Sequence, residues 1–198
     1  MGTYFPKLYD PLMKPLEQKY LGKLRSKLLS GRTGTILEVG SGTGLNFPYY
    51  DRADTVIAVE PDDTMREKSL ARVEEANVPI QLLKADAEHL PFEDNTFDVV
   101  AATLVFCTIP KPDKALQEIG RVCKPGAPIL FLEHVKVEGH LGYLQDWLTP
   151  VWKKLCDGCH LNRDTYTMVK NHFHITQVES FLKNIFLVIE AMNEKNQA

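Results

Sequence analysis

The chain has 198 residues, 26 acidic against 23 basic side chains, a formal charge of −3 and a hydrophobic share of 44%. That balance suits a core large enough to need neither disulfides nor a structural metal, and its mild acidity argues against nucleic acid, which asks for a basic face. No apolar run approaches the roughly 20 residues of a membrane-spanning helix, and the N-terminus has no apolar secretory core, so no stable membrane insertion and a cytoplasmic address are expected. Residues 1–33 read as helical, because Leu12, Leu16, Tyr20, Leu24 and Leu28 recur every four positions along one face. A loop at 30–34 ends that segment. Short apolar runs at 35–39, 55–59, 80–83, 97–102 and 129–132 have the length and composition of buried parallel strands. Helical patterns separate them at 62–77, where Asp62-Asp63-Thr64 offers an N-cap, and at 112–122, closed by the turn Lys124-Pro125-Gly126. The alternation implies an α/β fold, a doubly wound, mostly parallel sheet with helices on both faces. Residues 136–173 interrupt it as a helical insertion carrying Trp147 and Trp152. Runs at 175–180 and 185–191 read as two strands joined around Lys183-Asn184, which gives the sheet an antiparallel last strand. The chain reads as a single domain over 1–198. Residues 1–33 form a helical lid, 34–135 the core, 136–173 the insertion and 174–198 the closing strands.

The first strand runs into Glu38-Val39-Gly40-Ser41-Gly42-Thr43-Gly44. Glycines between a first strand and an expected first helix let backbone approach a ligand closely, at the strand ends where open α/β sheets bind. Two cofactor classes use such a turn. The dinucleotide pattern G-x-G-x-x-G holds pyrophosphate on a helix N-terminus. Here Leu45 stands where that pattern has glycine, and the preceding Glu38 suits an ammonium group better than a pyrophosphate. Glu60 ends the second strand, 20 residues after Gly40, where a carboxylate can accept both hydroxyls of a ribose, as in either class. After the third strand, Asp86 can accept from an adenine amino group and the Ala87 amide can donate to a ring nitrogen. Phe97-Asp98-Val99-Val100 opens a strand that leads to Thr103-Leu104.

The order of Glu38–Gly44, Glu60, Asp86-Ala87, Phe97–Val100 and the run from Leu116 to Gly126 resembles the class I S-adenosylmethionine-dependent methyltransferases, in the branch containing the ubiquinone/menaquinone C-methyltransferases. The resemblance implies a Rossmann-like, seven-stranded sheet and S-adenosylmethionine as cofactor, with S-adenosylhomocysteine as product. It implies cofactor contacts from Glu38, Gly40, Ser41, Gly42, Gly44 and Asn46, the ribose at Glu60, and adenine packing by Pro61 and Met65. Asp86, Ala87 and Glu88 take the adenine edge, and Thr103 and Leu104 lie beneath the methionine moiety.

The acceptor is less defined. The segments Leu132-Glu133-His134-Val135, Trp147–Trp152 and Asp157-Gly158-Cys159-His160-Leu161-Asn162-Arg163 are similar to the methyltransferase-like proteins of vertebrate microsomes and lipid droplets, which methylate small alkyl thiols. Those relatives carry an N-terminal membrane anchor, which is not expected here, and Thr149-Pro150 stands where they have Asp-Pro. The expected reaction is methylation of a small molecule such as a thiol or another small apolar acceptor. The alternatives are a quinone-precursor C-methyltransferase, a lipid methyltransferase, and a non-catalytic protein that binds S-adenosylmethionine. His134 is the candidate base, and Tyr9, Phe106, Cys107, Trp147 and Trp152 are the candidate acceptor contacts. Cys156-Asp157-Gly158-Cys159-His160 spells the haem-attachment pattern C-x-x-C-H. It is set aside without an export signal, leaving a redox role for Cys156 and Cys159 open. No metal is expected, since zinc would want further ligands beside that pair, and His172 and His174 would face opposite sides of a strand.

Overall fold

The structure, a computed structural model, describes residues 5–194. The ends of the expected lid and closing segment, 1–4 and 195–198, lie outside them. Seven strands form one sheet: β1 (Thr33–Val39), β2 (Arg52–Val59), β3 (Ile80–Leu83), β4 (Val99–Thr103), β5 (Pro128–His134), β6 (His174–Phe181) and β7 (Phe186–Met192). Their order is β3-β2-β1-β4-β5-β7-β6. Only β7 runs antiparallel, against both β5 and β6. The order reverses between β1 and β4, which pair in parallel, and that switch point opens a crevice at the strand ends. The turn between β6 and β7 places Leu182, Lys183 and Asn184 all at positive φ, which closes the expected hairpin.

The helices are α1 (Phe5–Leu16), α2 (Gly22–Leu29), α3 (Asp63–Glu74), α4 (Pro112–Val122), α5 (His140–Leu155) and α6 (Thr165–His172), with a π-helical turn at Glu17–Leu21 joining α1 to α2. Asp62 caps α3 by accepting from the Met65 amide at 2.8 Å. His172 ends α6 and His174 begins β6. The two therefore do not alternate along one strand, as the sequence had suggested.

One expectation fails. No α-helix follows the glycine turn among the described residues; Gly44 leads through turns into a short 3-10 helix at Phe47–Tyr49 and then directly into β2. Pro48 and the positive φ of Gly44 stop an α-helix from propagating there. The N-terminal segment supplies the missing cover. Leu21, Leu24, Leu28 and Leu29 are buried against Ile36, Phe47, Tyr50, Val56, Val99 and Leu130 on that face of the sheet. Each such side chain contributes on the order of 1.5–3 kcal/mol by burial. On the opposite face α4 and α6 pack Leu116, Ile119, Val122 and Val169 over Val100, Phe131 and Ile189.

Candidate active site

The crevice between β1 and β4 has a volume of about 700 Å³ including its open mouth. The glycine turn forms one wall. Gly40 N and Ser41 N donate to Val59 O at 2.9 and 3.1 Å, which fastens the turn to β2. Gly40 sits at φ +67°, and a Cβ there would lie 2.1 Å from Val105 Cγ2, so only glycine fits between the turn and the β4 loop. Gly42, at φ +55°, faces open space. Its amide donates to Glu60 Oε2 at 2.9 Å, while Glu60 Oε1 accepts from Asp62 N at 2.9 Å. Glu60 thus ties the turn to the start of α3. Burial raises its pKa against the pull of those two amides.

A buried polar network underlies the turn, and its centre, Arg25, had not been singled out in the sequence. Arg25 is 2% exposed. Its guanidinium pairs with Glu17 at 2.9 Å and donates to Asn46 Oδ1 at 2.6 Å and Thr103 Oγ1 at 2.7 Å. Asn46 Nδ2 donates in turn to Glu38 Oε1 at 3.1 Å and to Thr103 Oγ1 at 2.9 Å. Burial pushes the Glu38 carboxyl up to about 7, opposed by Tyr50, Arg25 and Asn46. Glu38 Oε2 and Ser41 Oγ are buried without a hydrogen-bond partner, and Tyr50's hydroxyl sits beside Glu38 without full bonding geometry. The unpartnered Ser41 hydroxyl and a Glu38 carboxylate whose Oε2 has only the Tyr50 hydroxyl nearby fit a ligand that brings hydrogen-bond donors, an ammonium first among them. With no helix N-terminus after the turn, the pyrophosphate-holding device of a dinucleotide site is missing.

The N-terminal segment closes over this wall. Asp10 accepts from Thr43 Oγ1 at 2.6 Å and pairs with Arg72 at 2.9 Å, while Arg72 also donates to Thr43 O at 2.6 Å. Tyr9 lines the crevice, and burial raises its pKa.

Of the expected cofactor residues, Gly40, Ser41, Gly42, Glu60, Met65, Thr103 and Leu104 line the crevice. Glu38 and Asn46 lie beneath it in the network. Gly44 serves the turn, where a Cβ would lie 2.5 Å from the Phe47 ring. Asp86 accepts the Glu88 amide at 2.9 Å and Glu88 accepts the Lys111 amide at 2.9 Å, so both shape the loop that leads to Ala87. Pro61 lies in sequence between Glu60 and Asp62, which line the crevice, and is not itself among the lining residues.

The acceptor residues divide differently. Phe106 is fully buried and packs edge-on to Phe131, so it belongs to the core rather than to a pocket wall. Trp147 is 75% exposed on the outer face of α5 and cannot join Phe106, because helical spacing turns it to solvent. Trp152 instead lies beside Cys159. The sequence paired Cys159 with Cys156, but the fold sets it against Cys107 and His134. Ligand atoms of these three lie within 4.8 Å of one another, and Cys159 Sγ is 3.4 Å from His134 Nε2. The Cys107 thiol donates to Leu104 O at 3.7 Å; its proximity to Cys159 lowers the Cys159 pKa, with further help from His134, and raises its own. The His134 pKa is raised, with Cys159 outweighing the burial that opposes it. Glu133, fully buried, accepts the Val105 and Phe106 amides at 2.9 and 3.1 Å and so holds the loop carrying Cys107; burial raises its carboxyl to about 7.

Residues 37–131 match the family model described as a methyltransferase domain. The chain is 38% identical to thiol S-methyltransferase TMT1B of Rattus norvegicus over 191 residues, covering 89% of this chain and 78% of the relative. A solved structure from Thermotoga maritima, described as an S-adenosylmethionine-dependent methyltransferase and possible histamine N-methyltransferase, shares the fold with a TM-score of 0.71, 22% identity and coverage of 98% and 100%. The geranyl diphosphate C-methyltransferase of Streptomyces coelicolor, solved with S-adenosyl-L-homocysteine, shares it at 0.69 and 10% identity over 87% and 76%. No helix among the described residues is long and apolar enough to cross a membrane. The order of motifs, the seven-stranded sheet and near-full-length similarity agree: the chain belongs to the class I S-adenosylmethionine-dependent methyltransferases and acts on a small-molecule acceptor.

Proposed function

We propose that the acceptor is a small thiol, methylated on sulfur. The observation that carries this reading is the 38% identity to a thiol S-methyltransferase across most of both chains. The crevice wall supports it: Leu104, Val105 and Thr108 offer apolar and hydroxyl surface, while the cation among the lining residues, Arg25, is held by Glu17, Asn46 and Thr103. Such a wall suits an acceptor that ionises readily by itself, and a thiol with a pKa of about 8.5 does so.

Bound S-adenosylmethionine supplies a methyl group on a sulfonium for in-line transfer to a lone pair. Glu38 holds the ammonium of its methionine moiety and Arg25 the carboxylate, with Gly40, Ser41 and Gly42 offering close backbone approach. Glu60 accepts the ribose hydroxyls through lone pairs its amide partners leave free. Pro61 and Met65 pack on the adenine, while Asp86, Ala87 and Glu88 form its polar edge. Thr103 and Leu104 form the floor. Tyr9 and the Asp10 contacts to Thr43 and Arg72 close the segment over the crevice and keep water out. Cys107, His134 and Trp152 belong to the acceptor corner. A cytoplasmic site of action is part of the proposal, since buried cysteine thiols such as Cys107, Cys156 and Cys159 suit a reducing compartment.

The test is a panel of acceptors with methyl-labelled cofactor: an alkyl thiol, the matching alcohol and amine, a hydroquinone, and phosphatidylethanolamine vesicles. Labelled thioether from the thiol alone is expected. Turnover confined to the hydroquinone or the phospholipid would replace this reading with C- or N-methylation.

A further inference from the structure

Three groups that bind soft metals converge at the acceptor corner from three separate pieces of chain. Cys107 comes from the loop after β4, His134 from the last position of β5, and Cys159 from the segment between α5 and α6. Their positions are set by hydrogen bonds that do not involve the thiols. Glu133 holds the β4 loop through the Val105 and Phe106 amides. The His160 amide donates to Cys107 O at 2.9 Å, which joins the loop to the Cys159 segment. Arg163 donates to Phe106 O and, at 2.7 Å, to Ile109 O. The two thiols are 4% and 8% exposed, so the cluster is preorganised and shielded.

The spacing is that of a tetrahedral ion. Zinc bonds of about 2.3 Å to sulfur and about 2.0–2.1 Å to nitrogen place sulfur roughly 3.6 Å from nitrogen and roughly 3.8 Å from sulfur. The observed 3.4 Å from Cys159 Sγ to His134 Nε2 meets the first value, and the other separations, within 4.8 Å, close by up to about 1 Å when an ion binds. Two thiolates and one imidazole leave a fourth position, as catalytic zinc sites do. Cys156 packs nearby but lies outside the ligand set. Thr108, next to Cys107, and Asp157, two residues before Cys159, line the crevice, so the chain segments that carry the two thiols reach its wall.

We infer that Cys107, His134 and Cys159 form a site for a thiophilic divalent cation, zinc by its donor set, whose open position takes the acceptor thiol. The second half of this inference rests on the thiol reading above. An acceptor R–SH binds as the thiolate and gives its proton to solvent. A sulfur lone pair of that thiolate forms the new C–S bond to the methyl carbon as the sulfonium C–S bond breaks, and the sulfonium sulfur keeps that electron pair. Both products are neutral at sulfur, and the thioether, a weaker ligand than the thiolate, leaves the ion.

The test uses the full chain loaded with zinc and, separately, with cobalt as a spectroscopic probe. Metal content after dialysis and the thiolate-to-cobalt charge-transfer band are measured for wild type, C107S, C159S and the control C156S, with S-adenosylhomocysteine binding as the check on folding. Wild type and C156S are expected to retain the ion and the band, and C107S and C159S to lose both. Should those two variants fail to fold, the wild-type cobalt spectrum decides alone: the band must be present and must shift on adding an alkyl thiol. A wild-type chain that retains no ion, shows no thiolate band, or binds equally in C107S and C159S overturns the site. Thiol methylation by a metal-free chain would overturn the site and leave the thiol reading standing. Retained metal with a thiol-insensitive spectrum and turnover of another acceptor only would overturn the thiol reading and the open-position role together, leaving only metal binding.

Discussion

Arg25→Met is the sharpest test of how the site is built. The substitution keeps much of the buried stem and removes the guanidinium. Glu17 then loses its 2.9 Å partner with a side chain only 13% exposed, and Asn46 Oδ1 and Thr103 Oγ1 lose donors at 2.6 and 2.7 Å. Removing one member of a buried ion pair costs about 3–5 kcal/mol, mostly through the charge left behind. At roughly 2–4 °C per kcal/mol for a domain of this size, the melting temperature should fall by about 6–20 °C. The double variant Glu17→Gln/Arg25→Met removes the stranded charge and should recover part of that loss. Glu38 also loses a nearby cation that lowers its pKa, so S-adenosylhomocysteine should bind more weakly even where the variant is folded. Urea denaturation and calorimetric titration at pH 7.5 measure both effects. A single variant within about 1 kcal/mol of wild type, which is the surface-pair range, and with unchanged affinity, would refute the network as a structural and cofactor-binding element.

Burial raises Glu38 and Glu133 from 4.5 to about 7 in the folded chain. Between those values the native state holds more protons than the unfolded state, so the stability of the cofactor-free protein is full below 4.5 and falls as pH rises through 7. Chemical denaturation across that range should show the slope, and E38Q and E133Q should each flatten it. If Glu38 meets the cofactor ammonium, S-adenosylhomocysteine affinity should rise with pH across the same window and titrations should detect proton release; E38Q should remove both. Gly40→Ala places a methyl 2.1 Å from Val105 Cγ2 at φ +67° and should abolish measurable cofactor binding, whereas retained affinity would mean the β4 loop yields easily. Phe106→Ala should cost about 3–5 kcal/mol as a core truncation, while Trp147→Ala should stay within about 0.5 kcal/mol with unchanged cofactor affinity; equal melting shifts in the two would contradict their assigned burial.

Strand and motif positions were legible because they are local. Each parallel strand announced itself as a short apolar run, and the hairpin turn followed from Lys183-Asn184 between two such runs. The expected cofactor residues lay at fixed offsets from strand ends, and the fold brings Gly40, Ser41, Gly42, Glu60, Met65, Thr103 and Leu104 to one crevice. The helix expected after Gly44 failed because the family pattern outweighed Pro48, a local signal that was present. Arg25 was hidden by its charge: it lies four residues from Leu21 and four from Leu29 on a buried helix face, where an apolar residue is the ordinary occupant. The proximity of Cys107, His134 and Cys159 had no local signal at all. Their juxtaposition depends on two loops and a strand end meeting across the sheet, whereas the C-x-x-C spacing drew attention to Cys156 instead.

Because α2 takes the place of a first crossover helix, one element both seals the hydrophobic core and, through Arg25, supports the proposed cofactor crevice. Ligand occupancy and the local opening free energy of the N-terminal helical segment are therefore linked quantities. Amide exchange in α2 should slow with cofactor occupancy before exchange in the distant β6–β7 hairpin does. Deletions that trim the segment remove a piece of the core along with the cover.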